Sequence, residues 1–144
     1  MDMGVLEKRI NRLEDVEAIK QLKSRYCHLY DDTHNLDHIA GDFAEGGIWE
    51  SADFGKAQGH KDIRELFSGF RKLLMLSHPN ITNPVIEDNG DRATGIWYIM
   101  GPWTLTENDK KILMAARYDD DYVKIDGAWN YQHLRADLRM NIDR

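Results

Sequence analysis

The chain has 144 residues, 42% hydrophobic and 31% charged, with a formal net charge of −6; that suits one folded domain with a real core and excludes a disordered chain. An acidic balance works against nucleic acid and anionic membrane surfaces, both of which call for basic patches. Cys27 is the only cysteine, so no intrachain disulfide forms, and with no apolar run of membrane-spanning length and no signal-type N-terminal segment a cytoplasmic protein is expected.

From Val5 to about Tyr30 the pattern is helical. Leu6, Ile10, Leu13, Val16, Ile19, Leu22, Tyr26 and Leu29 recur at three and four residues. Neither Pro nor Gly interrupts the chain between Val5 and Ala40. The spacing predicts one long helix, with a break near Asp15 or Asp31, and then a short helix over Leu36 to Phe43. Gly46-Gly47 ends that helix. Ile48 to Ser51 and Gly55 to Gly59 read as a short hairpin around Asp53. A third helix follows from His60 or Lys61 to Leu74, with Ile63, Leu66, Phe67 and Phe70 as its buried stripe.

Asn89-Gly90 and Asp126-Gly127 each lie between segments that alternate apolar and polar residues. Such pairs tolerate positive φ and close tight hairpins. With the polar break Glu107 to Lys110 between them, Ile81 to about Met140 reads as four antiparallel strands in one meander. Helices first and a long sheet second predict an α+β fold with one sheet face covered.

Alternation sorts the strand residues into faces. Gly95, Trp97, Ile99 and Trp103 share one face, and Thr94, Ile96, Tyr98 and Met100 the other. Ile112, Met114, Ala116, Tyr118, Asp120 and Tyr122 share a face. In the last strand Trp129, Tyr131, His133, Arg135, Asp137 and Arg139 alternate with Asn130, Gln132, Leu134 and Leu138. Faces of mixed character, rich in Trp, Tyr and Met, suit a cavity for a flat apolar ligand on one side and a contact between subunits on the other. His34 and His38 lie four apart near Asp37 and Asp42, but without a third ligand motif no metal is expected. Asp119-Asp120-Asp121 lacks the alternation of a calcium loop.

Several segments carry a family resemblance. They are Ala18 to Leu22, Tyr26 with Asp31, Asn83-Pro84, Ala93 to Tyr98, and Tyr118 through Asp126-Gly127-Ala128-Trp129. Together they resemble the SnoaL-like branch of the nuclear transport factor 2-like superfamily, over about Leu13 to Arg139. The resemblance implies a cone-shaped, curved antiparallel sheet packed on three helices, an α+β barrel formed by residues 1–144 as a single domain. The eliminating enzymes of this branch, such as scytalone dehydratase, use a strand histidine as base and an aspartate at the end of the first helix to orient it. These match His78, allowing a one-residue insertion, and Asp31, with Asp32 as the competing choice. A tyrosine before that aspartate matches Tyr26, one on the penultimate strand matches Tyr118, and a C-terminal arginine matches Arg135 or Arg139. The second histidine of scytalone dehydratase falls on Trp97, which speaks against a scytalone-like substrate.

A neutral-range imidazole held by a carboxylate suits proton abstraction. The resemblance thus implies a cofactor-independent lyase of dehydratase type, acting on a steroid- or polyketide-like carbonyl compound. Tyr26, Tyr118 and Arg135 would assist His78 and Asp31, and Trp49, Phe54, Trp97, Tyr98 and Trp103 would line the pocket. An isomerase or cyclase using the same base is the alternative, and a binding or assembly module without chemistry is a third. No cofactor or metal is implied; the partners expected are a small apolar substrate and further copies of the chain, as dimer or trimer.

Overall fold

The computed structural model describes residues 2–28 and 36–143. Three helices, α1 (Met3–His28), α2 (Leu36–Gly41) and α3 (Gly59–Leu73), pack against one strongly curled sheet. Its strands are β1 (Phe43–Ser51), β2 (Gly55–Gln58), β3 (Leu74–Ser77), β4 (Asn80–Asp88), β5 (Arg92–Leu105), β6 (Lys111–Ile125) and β7 (Ala128–Asp143). The order is β2-β1-β7-β6-β5-β3, with β4 also on β5. This is the α+β cone expected from the sequence. The meander β4 to β7 is antiparallel, but β1 pairs with β7 in parallel, so the sheet as a whole is mixed. The hairpin turns carry positive φ at Gly90, Asp126 and Gly127.

Element bounds differ from the sequence reading in three places. α1 runs without a break at Asp15. The second helix stops at Gly41, and Phe43 already belongs to β1. Leu74 to Ser77 leaves the third helix as a short strand on the edge of β5. The expected helix end at Asp31 to Asn35 lies outside the described residues.

The sequence suggests one apolar stripe along α1, but only the second half of the helix is buried: every described residue from 2 to 14 is exposed. Ile19, Leu22 and Tyr26 are buried against the sheet. Met3, Leu6, Ile10 and Leu13 are all exposed, Leu13 by 70%. At 3.6 residues per turn these two sets lie roughly half a turn apart around the helix.

Two bulges set the faces of β7. Tyr122 pairs with Tyr131 but Asp121 with His133, so Gln132 is an extra residue; Ala116 pairs with Leu138 but Ala115 with Met140, so Arg139 is another. Each extra residue inverts the alternation. Trp129 and Tyr131 face the helices as expected, but beyond Gln132 it is Leu134 and Ala136 that are buried, while His133 and Arg135 turn to the outer face.

α1 is pinned to the sheet at two polar points. The Asp15 carboxylate accepts hydrogen bonds from Lys124 Nζ at 2.9 Å and Trp129 Nε1 at 3.0 Å. Burial opposes its charge, but those bonds outweigh burial and hold its pKa below the ordinary aspartate value of 3.8. A depressed folded-state pKa gives stability that is present above the unfolded value and lost as pH falls through the folded one. Asp15→Asn should therefore cost about 1–2 kcal/mol at neutral pH, and the variant should lose less of its remaining stability than the parent on acidification below pH 4. Urea midpoints measured on both sides of that pH check this.

Candidate active site

The concave face of the sheet and the helices enclose a cavity of about 320 Å³. Its inner wall is Tyr26 on α1, Trp49 and Ser51 on β1, and Tyr118 on β6. It follows β6 from Tyr118 past Ala116 and Met114 to Ile112, six residues or about 20 Å of extended strand. Asp53, Phe54, Leu73 and Asn141 form the exposed rim. The middle is apolar, with Phe70, Ile99 and Trp103 among its residues.

The hydroxyls of the inner wall are held in place. Trp49 Nε1 donates to Tyr26 Oη at 3.0 Å, and Tyr118 Oη donates to the same oxygen at 3.4 Å. The two phenol rings meet edge to face with centroids 5.8 Å apart. Burial pushes the Tyr26 pKa well above 10, so this hydroxyl keeps its proton at any physiological pH.

Behind Tyr118 lies a buried ion pair. Lys23 Nζ stands 2.8 Å from Asp120 Oδ2 and 3.6 Å from the centroid of the Tyr118 ring, and both charged side chains are 0% exposed. Burial pulls the lysine below its ordinary pKa and pushes the aspartate above its own, and each shift is opposed by the partner's charge. Tyr122 Oη donates to the same carboxylate oxygen at 2.7 Å, and Trp97 Nε1 donates to Tyr122. Asp120 Oδ1 has no partner among the described residues.

The structure brings together part of the expected site. Tyr26, Tyr118, Trp49, Phe54 and Trp103 line the cavity. Trp97 shares their face but lies deeper, in the core. Tyr98 is 46% exposed on the outer face, because its neighbours on β5 alternate inward. Arg135 is also on the outer face, where it binds Asp121 Oδ2 and the His133 ring. Arg139 is the bulged residue of β7 and does not line the cavity. His78 is exposed, between β3 and β4, and the lining residue is its neighbour Pro79. Asp31 and Asp32 lie outside the described residues.

Strand phase explains the position of His78. Ser77 pairs with Trp103 and Ile81 with Ile99, so Ser77, Pro79 and Ile81 face inward and His78 and Asn80 outward. The extra residue of β4 is taken up near Asn83, which has a φ of 58°. The His78 backbone crosses directly over Gly101, where an added Cβ would come within 2.2 Å of the His78 carbonyl oxygen.

Sequence reasoning missed Lys23, Ser51, Asp53 and Asn141. Ser51 was accessible, since it follows Trp49 by two on the same strand. Asn141 was not, because the sequence pattern carries the last strand only to about Met140; the two bulges cancel, and Asn141 keeps the inward phase of Trp129 and Tyr131.

Two substitutions probe this arrangement. Lys23→Met leaves Asp120 charged and buried, and should cost about 3–5 kcal/mol, most of it restored in Lys23→Met/Asp120→Leu; chemical denaturation of the two variants gives the comparison. Gly101→Ala has no room for its methyl group, and should lower stability by about 3 kcal/mol or more, read as a fall in Tm.

A family model described as the SnoaL-like domain matches residues 11–135. Among solved structures the chain is similar to a hexachlorocyclohexane dehydrochlorinase from Novosphingobium barchaimii, with a TM-score of 0.85 and 22% identity over 94% of each chain. It is also similar to a scytalone dehydratase-like protein from Novosphingobium aromaticivorans, with a TM-score of 0.84 and 19% identity over 92% of this chain and 89% of that one. A protein of unknown function from Mycobacterium tuberculosis gives a TM-score of 0.76 and 26% identity over 90% of this chain and 74% of that one. The family model matches most of the sequence, and the chain belongs to the SnoaL-like domain family.

Proposed function

We propose that the protein is a cofactor-independent lyase that eliminates water or a similar small group from a flat, cyclic, apolar carbonyl compound. The observation that carries this reading is the cavity itself: a long apolar hollow ending on two adjacent phenol hydroxyls. A carbonyl oxygen at that end would meet O–H donors in a dry setting, where hydrogen bonds to a developing enolate are strongest. The Lys23 ammonium over the Tyr118 ring draws electron density from the phenol and strengthens its O–H as a donor. The likeness in fold to a dehydrochlorinase and to a scytalone dehydratase-like protein supports an elimination.

In this reading the base is His78, oriented by Asp31. The imidazole then has to exchange places with Pro79 in the substrate complex. A shift of one residue in the segment from Ser77 to Pro79 does this. The shift also releases the Ser77 hydroxyl, which is buried without a partner among the described residues, a condition costing about 1–3 kcal/mol. Asp53, already on the lining, is the competing acceptor. The outward His78 favours one second reading, a binding module with the same pocket and no chemistry.

The test is a thermal-shift panel of steroid and polyketide ketones, followed by assay of stabilising compounds for loss of water. His78→Ala should lower turnover about 10²–10⁴-fold, and Tyr118→Phe about 10²-fold or more, with Asp53→Asn close to the parent. Loss of turnover in Asp53→Asn with His78→Ala unaffected would transfer the base to Asp53. Ligand binding without turnover, unchanged in His78→Ala, would establish the binding module instead.

A further inference from the structure

The rim of the cavity carries a charge that nothing in its own subunit neutralises. Asp53 is held in place at backbone and side chain: its N–H donates to Ser51 Oγ at 3.1 Å, and its Oδ2 accepts the Leu138 N–H at 3.3 Å. The residue thereby ties the turn after β1 to β7. Its other carboxylate oxygen, Oδ1, has no hydrogen-bond partner among the described residues, and no described lysine or arginine pairs with the group. Asp53 is the one charged residue on the lining. The Asn141 side-chain amide lies on the same rim and makes no hydrogen bond among the described residues.

Strand register places both groups along the cavity. Leu138 pairs with Ala116 and Asn141 with Met114. These levels on β6 are about 7 Å and about 13 Å of extended strand from Tyr118. A fused-ring ketone of steroid length, its oxygen at the phenols, brings its far end to Asp53 and Asn141. What suits that end follows from donors and acceptors. A carboxylate only accepts, whereas an amide both donates and accepts. A ligand hydroxyl satisfies the two together: its O–H donates to Asp53 Oδ1, and its oxygen accepts from Asn141 Nδ2. The charged acceptor makes the first of these bonds one of the stronger kind. A ligand carboxylate finds no cation at the rim and meets Asp53 as a like charge. At contact distance that repulsion weakens binding about fivefold even at the dielectric constant of water. We propose that Asp53 and Asn141 select a hydroxyl at the outer end of the ligand and exclude acids from the cavity. The proposal rests on the reading of the cavity as the site of a cyclic carbonyl compound.

Trp49 and Trp103 line the cavity, so titrations followed by tryptophan fluorescence test this on the full chain. The probes are a saturated steroid ketone, the same ketone with a hydroxyl at the far end of its ring system, and the same ketone with a carboxylate there. On the parent the hydroxy ketone should bind about fivefold more tightly than the plain ketone, and the acid about fivefold more weakly or worse. The deficit of the acid should shrink in molar salt, where screening acts within about 3 Å. Asp53→Asn should bring the acid to the affinity of the plain ketone. Asn141→Leu should reduce the advantage of the hydroxy ketone and keep the deficit of the acid. These effects belong to Kd, because the rim meets ligand and transition state alike. An acid that binds the parent as tightly as the plain ketone overturns the proposal, as does a deficit that survives in Asp53→Asn. Three ketones bound alike overturn it and leave the carbonyl reading of the cavity standing, whereas failure of all three to bind overturns both.

Discussion

The Lys23–Asp120 pair fixes the geometry on which the cavity depends. Two charges removed from water are costly, and they are tolerated only where their hydrogen bonds and position are tightly defined. Here the definition comes from both layers: Lys23 is on α1 and Asp120 on β6. Their contact at 2.8 Å sets the rotation of α1 about its axis. Tyr26 is three residues beyond Lys23, on the same side of the helix. Tyr118 is two residues before Asp120, on the same face of the strand. The ion pair therefore sets the separation of the two phenols. The Tyr118 ring roofs the ammonium on the cavity side, so the charge acts on the pocket through an aromatic ring and not by exposure to it.

Much of the fold was legible because it is periodic and local. The two turn dipeptides, the inward set of β6 and the stripe of α3 are all decided within a few residues. What failed was phase across irregularities. A strand pattern tells which residues share a face only until an extra residue intervenes. Gln132 and Arg139 are ordinary polar residues with nothing to mark them as bulges, yet between them they turn His133 and Arg135 outward and Leu134, Ala136 and Leu138 inward. The same arithmetic governs His78. The parallel contact of β1 with β7 was also invisible, because it joins segments more than 80 positions apart and leaves no local pattern.

The candidate site was legible in a similar proportion. Tyr26, Trp49 and Tyr118 were recoverable because each sits in an uninterrupted element whose buried face is clear. Tyr98 was grouped with the lining on aromatic character alone, against the alternation that separates it from Trp97. Lys23 carried a signal of a different kind. A charge within the turn that also holds Leu22 and Tyr26 is a local conflict, and such conflicts mark places where a fold depends on a specific partner. The partner, Asp120, carried the matching signal as the middle of three aspartates on a strand, where one must face inward. Neither could be paired with the other without knowing that α1 crosses β6.

The distribution of polarity within the cavity limits what it can select. Its middle offers only apolar contact, which rewards any flat hydrophobic ligand in proportion to area, about 25 cal/mol per Å², and so discriminates little between ring systems. Directional groups occur at the inner wall, in Tyr26, Tyr118 and Ser51, and at the rim, in Asp53 and Asn141. Ser51 Oγ accepts the Asp53 backbone N–H and keeps its own O–H to donate, whereas the Tyr118 O–H is turned to Tyr26. A ligand is consequently oriented by which of its ends carries an acceptor oxygen. Placing the acceptor inward leaves the carbons of the far end near the rim, while the segment that joins β3 to β4 lies level with Leu113 and Met114 and not with Tyr118. Among the described residues that line the cavity, Asp53 at the rim is the one carboxylate.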